Sequence, residues 1–164
     1  MSEPLSNHAV NVLLVSENAE MKGGAEHSFY ELATALPPAR VSPHVALPAG
    51  GSLAAALRVA GVDVTHVPLR RLTRSLNPLT QALNAGSMMW SVLKLVCLVR
   101  RRRIQVMHAN SNSAQVYCAL AQLCTGTPTI WHCRDLVPLG ALGRWLAGRA
   151  ARVVAISDTV RRHL

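Results

Sequence analysis

The sequence predicts an α/β domain: a parallel sheet covered by helices on both faces. Three observations point there. Short Val- and Leu-rich runs alternate with segments of helical periodicity along the whole chain. The runs are continuously apolar, as strands buried on both faces require. The chain's 164 residues, half of them apolar, are enough for one such domain with a sizeable core and make intrinsic disorder a poor description.

The elements follow in order. Val10–Ser16 (VNVLLVS) reads as a buried strand. A helix over Ala25–Leu36 carries Phe29, Leu32, Ala33 and Leu36 on one face and stops at Pro37-Pro38. Val45–Pro48 is a short strand. Ser52 is expected to cap a helix bearing Leu53, Ala56, Leu57 and Ala60, which Gly61 ends. Val64–Pro68 is the third strand, and a longer, less regular helical region spans Pro78–Arg101. Ile104–Ala109 is the fourth strand. A helix over Ser113–Thr125 presents Val116, Ala119, Leu120 and Leu123 and closes at Gly126. Thr129–Cys133 and Arg152–Ile156 are strands five and six, separated by a helix over Leu139–Ala150. Residues 1–9 form a polar tail, so the expected domain is 10–164. The final segment, DTVRRHL, is too short to be stable as an isolated helix and reads as though more chain should follow.

Charge narrows the partners. Seventeen Lys and Arg against eight Asp and Glu give a net charge of +9, which favours anionic ligands or surfaces. The excess sits late: residues 100–164 hold ten basic and two acidic side chains. Aromatic residues make up 4 %, too few for a base-stacking platform, and no recognition motif accompanies the arginines, so nucleic acid is not expected. Cys97, Cys118, Cys124 and Cys133 show neither CxxC nor zinc-ligand spacing and read as reduced core thiols of a cytosolic protein. Met1–His8 is polar, unlike a secretory leader, and the apolar stretch Met88–Val99 is shorter than the roughly 20 residues of a membrane span. A soluble protein, or one lying on a membrane surface, is the expectation. Met88–Val99 followed by Arg100, Arg101, Arg102 and Arg103 sets an apolar helix beside four positive charges. An anionic lipid surface would suit that pattern, and so would a buried helix with a solvated basic end.

The first strand–helix connection, ENAEMKGGAE, holds Gly23 and Gly24 directly before the helix. Backbone without a Cβ at a helix N-terminus lets a phosphate approach free N–H groups. A plain turn would use the same residues. The segment is neither GxGxxG nor a Walker loop, which makes nicotinamide binding a poor reading.

Three blocks together resemble one family. VNVLLVSENAEMKGGAEHSFYELATAL resembles the opening strand, GGAE-like loop and helix of glycosyltransferase family 4. IQVMHANSNSAQVYCALAQLCTGTPTIWHCRDL is similar to that family's His-ended strand, small-residue helix, G-x-P and second His-ended strand. ARVVAISDTVRRHL resembles its strand–Ser–helix segment. The resemblance implies one Rossmann-like half of a two-domain GT-B fold, the acceptor-side N-terminal half. It implies sugar transfer with retention from a nucleotide-diphosphate donor, without a metal or other cofactor. The implied acceptor is lipid-linked or saccharide, and the implied partner is a C-terminal donor-binding domain. The family's second-domain E-x7-E has no counterpart, since no glutamate follows Glu31, and catalysis by this chain alone is therefore not expected.

By resemblance, Gly23 and Gly24 would lie by the donor diphosphate and His132 near the transferred sugar. His108, Asn110 and Ser111 would contact the acceptor, unless they only form the turn after their strand, and Arg134 and Asp135 would pair with each other or contact acceptor hydroxyls. Ser157 would line the cleft floor, unless it caps the helix that follows. The rival from a different class is a non-catalytic Rossmann-like module that binds a partner protein or a membrane surface.

Overall fold

A computed structural model describes residues 9–72, 78–134 and 140–162. Among these residues six strands and six helices alternate: β1 (Val10–Val15), α1 (Gly24–Ala35), β2 (Val41–Leu47), α2 (Ser52–Val59), β3 (Asp63–His66), α3 (Pro78–Arg101), β4 (Val106–Ala109), α4 (Asn112–Thr125), β5 (Thr129–Cys133), α5 (Gly140–Arg149), β6 (Arg152–Ala155) and α6 (Asp158–Arg162). All strand pairs are parallel, in the order β3-β2-β1-β4-β5-β6. The order reverses between β1 and β4. In open α/β sheets that switch point leaves a crevice at the strands' carboxyl ends, where ligands bind.

Strand periodicity sorts the core into two layers. Leu14, Val45 and Leu47 pack with Phe29 and Ala33 of α1 and Leu53 and Leu57 of α2. On the other face Leu13, Val15, Met107 and Ala109 pack with Leu95 and Val99 of α3 and Tyr117 and Cys118 of α4. Trp131 and Cys133 continue this second layer toward Leu146 of α5 and Val160 of α6.

Local chemistry fixes the boundaries. The Ser111 hydroxyl accepts the Ala114 N–H at 3.0 Å and caps α4, and Gly126 closes that helix in the left-handed region at φ 72°. β2 begins at Val41, earlier than expected from sequence, and runs through Pro43. That proline pairs with Val12 of β1, while pairing with β3 starts only at His44, so a missing N–H is tolerated at that position. The expected Ser52 cap is not observed. Gly51 is the N-cap residue, and Ser52 ties α2 to the preceding loop instead: its hydroxyl accepts the Met21 N–H at 2.9 Å and donates to Glu20 at 3.0 Å. Gly51 itself cannot be replaced cheaply, since its φ is 84° and a Cβ there would lie 2.1 Å from the Ala19 carbonyl oxygen. Three core assignments also fail. Cys97 and Cys124 are exposed, leaving only Cys118 and Cys133 buried, and Leu123 turns outward from α4.

Candidate functional site

The crevice at the switch point is a cavity of about 300 Å³. Ser16 and Glu17 enter it from the end of β1, Ala25 and Glu26 from the first turn of α1, Asn110 and Ser111 from the end of β4, and Arg134 from the end of β5. Backbone pairing brings these ends together: the Asn110 N–H donates to the Val15 carbonyl at 3.0 Å.

Arg134 organises the rim. Its Nε donates to Asn110 Oδ1 at 3.2 Å, and one terminal nitrogen donates to Ser28 Oγ of α1 at 3.0 Å while lying 3.3 Å from His132 Nδ1. A guanidinium only donates, so His132 Nδ1 is the acceptor and the neutral ring carries its proton on Nε2. Burial, and then the Arg134 charge, hold the His132 pKa below its ordinary value. The ring is therefore a neutral hydrogen-bond donor at neutral pH. Burial also lowers the Arg134 pKa, partly opposed by Glu26.

His108 lies behind this pair, its ring edge-on to that of His132 with centroids 5.7 Å apart. It is 8 % exposed, and its Nδ1 has no partner among the described residues. Burial above all, then the His132 and Arg134 charges, lower its pKa from 6.5 to about 4. His108 therefore acts as an uncharged filler beneath His132, away from the cavity wall.

Two carboxylates share the lining. Glu17 accepts the Ser111 hydroxyl at 2.6 Å, and Glu26 accepts the Asn18 side-chain amide at 2.8 Å. With Arg71 and Arg134, the described lining holds two carboxylates and two guanidinium groups.

Of the residues singled out in the sequence, Asn110, Ser111 and Arg134 line the cavity, with His132 directly behind Arg134. Gly23 is the N-cap residue of α1 and Gly24 opens the helix, one step outside the lining. A Cβ at Gly24 would meet nothing within 4 Å among the described residues, so no packing among them demands glycine there. Asp135 lies outside the described residues. Ser157 is exposed and accepts the Val160 N–H at 3.2 Å, so it caps α6 and does not line the cavity. Arg100–Arg103 sit at the other end of the sheet and do not act as one cluster: Arg100 donates to the Cys124 carbonyl and Arg102 pairs with Asp63 at 2.9 Å. Glu17, Asn18, Ser28, Glu26 and Arg71 were not anticipated. The strand-end rule alone could have flagged Glu17, which directly follows Ser16 at the end of β1.

Solved structures share this architecture. Anabaena Alr3699/HepE in complex with UDP-glucose is 23 % identical, with a TM-score of 0.69 over 93 % of this chain and 39 % of that one. MurG of Acinetobacter baumannii is 13 % identical, TM-score 0.67, over 92 % and 42 %. A putative UDP-N-acetylglucosamine 2-epimerase from Listeria monocytogenes is 9 % identical, TM-score 0.67, over 95 % and 42 %. The chain thus spans about two fifths of their length and matches one half of a GT-B fold. No curated protein matches it. The sequence profile of Glycosyltransferase Family 4 matches residues 22–164, most of the chain, and the chain belongs to that family.

Proposed function

We propose that residues 10–164 form the N-terminal, acceptor-side half of a retaining glycosyltransferase. The enzyme would move a sugar from a nucleotide-diphosphate donor to a lipid-linked or saccharide acceptor of the cell envelope. Family membership supports the reaction class. One observation carries the assignment of roles: a neutral His132, its tautomer fixed by Arg134, stands at the strand ends beside the switch-point cavity.

The Nε2–H of His132 is suited to donate to a sugar hydroxyl and orient the reacting carbon. Gly23 and Gly24 open the N-terminus of a 12-residue helix, where free N–H groups and the macrodipole favour a diphosphate. The cavity lining carries no net charge among its described residues, since Glu17 and Glu26 offset Arg71 and Arg134. Carboxylates and guanidinium groups in balance suit a neutral, hydroxyl-rich ligand. The acceptor end held here is accordingly an uncharged saccharide unit.

One wall of a cleft does not complete a transferase. Orientation and diphosphate stabilisation together lower a barrier by about 10 kcal/mol, and a second domain must supply much of that. Nucleotide-sugar affinity of this half alone is expected to be roughly millimolar. The test incubates the purified chain with membrane extract and radiolabelled UDP-, GDP- or ADP-sugars, with and without a family 4 donor-binding domain added in trans. UDP-glucose comes first, because the Anabaena protein was solved with it. Label entering acceptor only when both halves are present is the expected result. Sustained transfer by this chain alone would overturn the division of labour.

A further inference from the structure

The charged side chains that line the β1–β4 cavity are not held alike. Glu17 is bonded to Ser111, Glu26 to Asn18, and Arg134 to Asn110 and Ser28. Arg71 is exposed, and its guanidinium makes no hydrogen bond or ion pair among the described residues. The backbone on either side of it is the reverse. The Tyr117 hydroxyl of α4 accepts the Arg70 N–H at 3.4 Å and donates to the Arg70 carbonyl at 3.2 Å. The Leu72 N–H donates to Ser113 Oγ, also of α4, at 3.0 Å. Just upstream, Val67 and Leu69 are buried in the core, and the Pro68 carbonyl accepts the Ser91 hydroxyl of α3 at 2.8 Å. A segment outside any helix or strand is thus stitched down at alternate residues, Pro68, Arg70 and Leu72. Arg71 is presented at the cavity from a fixed backbone. The entropy of fixing that backbone is met on folding, so a ligand has only the side chain left to order.

We propose that Arg71 is a specificity-determining residue for the acceptor: its guanidinium grips a phosphate attached to the saccharide unit held in the cavity. A planar fork of N–H donors matches two oxygens of a phosphate, and a bond charged on both sides is stronger than one between neutral groups. The balanced lining suits the uncharged sugar ring, which leaves the anion on an exocyclic bond, where a phosphate ester sits. Tyr117 and Ser113 are positioning residues, because they hold the backbone that carries Arg71 and do not themselves reach the phosphate. The donor diphosphate proposed at Gly23 and Gly24 lies at the start of α1, whereas Arg71 is anchored to α4, so the two anions have separate supports. The acceptor role rests on the proposed transferase reading; the sugar-phosphate site itself does not.

The test titrates the full chain, by calorimetry and two-dimensional NMR, with glucose 1-phosphate, glucose, glucuronic acid and inorganic phosphate. Glucose 1-phosphate should bind roughly ten-fold more tightly than any of the other three, a gain in keeping with one charge-assisted contact. Saturating UDP should not displace it. Arg71→Gln should remove the advantage while leaving glucose binding within about two-fold, and Arg71→Lys, a point charge without the fork, should restore only part of it. Arg152→Gln, the same charge change at the far edge of the sheet, should alter binding less than about two-fold. Tyr117→Phe keeps the ring and every charge but releases Arg70 from α4. It should weaken glucose 1-phosphate several-fold and spare glucose, a split that a general loss of structure would not produce.

No binding of glucose 1-phosphate, equal binding of inorganic phosphate or glucuronic acid, displacement by UDP, or equal loss in Arg71→Gln and Arg152→Gln overturns the proposal. Equal weakening of both sugars by Tyr117→Phe overturns the positioning role. With a donor-binding domain added in trans, Arg71→Gln should raise the membrane extract needed for half-maximal transfer roughly ten-fold and leave the donor KM unchanged. A chain that binds glucose 1-phosphate through Arg71 but supports no transfer refutes the transferase reading only. Transfer whose acceptor requirement Arg71→Gln does not change refutes the Arg71 assignment only.

Discussion

The two ends of the sheet treat charge in opposite ways. At the carboxyl ends, Arg134 is partly buried, bound to Asn110 and Ser28 and close to His132, and two glutamates share the cavity lining with it. At the amino ends, Arg100–Arg103 are exposed: Arg100 donates to the Cys124 carbonyl, Arg102 forms an exposed ion pair with Asp63, and Arg103 holds a φ of 50°. The run that dominates the sequence is thus the energetically weaker feature. Burial, reinforced by the Arg134 charge, keeps two histidines neutral at one end, whereas four solvated arginines at the other set mainly the field around the molecule.

The largest expected effect follows from His108. Its pKa lies below the unfolded value, so the unfolded chain binds the extra proton first. Stability is complete above about pH 6.5, is lost as pH falls toward 4, and loses nothing more from this group below that. The loss amounts to about 3 kcal/mol, and His132, shifted in the same direction, adds to it. Urea titrations at intervals between pH 7 and pH 4 would measure it. His108→Asn should flatten the profile, and an unchanged slope would mean that the strand-end network is not what excludes the proton.

Next in size, His132→Ala in the two-domain enzyme should lower kcat roughly a hundred-fold, about 2.7 kcal/mol, with little change in the donor KM. An equal effect on both parameters would make the histidine a ground-state contact. Gly24→Val should raise the donor KM roughly ten-fold while leaving thermal stability within a degree or two, because none of the described residues occupies the space the side chain enters. A fall in stability without a change in KM would make the glycine structural. Smallest of all, Arg100→Gln with Arg103→Gln should shift stability by no more than about 0.5 kcal/mol in thermal melts, since exposed charges contribute little to folding.

The same contrast explains what the sequence disclosed. Strand β5 and helix α3 have the expected bounds, Thr129–Cys133 and Pro78–Arg101, because a continuous apolar run and a long helical pattern are local signals. The early half of β2 was hidden by Pro43, which ordinarily argues against a strand and is tolerated here only because of where β3 begins to pair. Arg134, Asn110 and Ser111 were visible through position after a strand and through family resemblance. Arg71 belongs to no helix or strand, and it reaches the cavity only because the chain leaving β3 passes beside α4, where the Leu72 N–H donates to Ser113 at 3.0 Å. Ser28 looked like one more helix residue until Arg134 was found bonded to it. Contacts across more than 100 residues leave no periodic trace in a sequence.

The central claim, that the β1–β4 crevice of this chain is one wall of a nucleotide-sugar transferase, is tested most directly by a two-dimensional NMR titration of the purified chain with UDP-glucose. The account predicts weak saturable binding, roughly millimolar, with amide shifts concentrated at Gly23, Gly24, Ala25, Asn110 and His132 and none at Arg100–Arg103. Shifts confined to the arginine end, or micromolar binding accompanied by transfer from this chain alone, would contradict it.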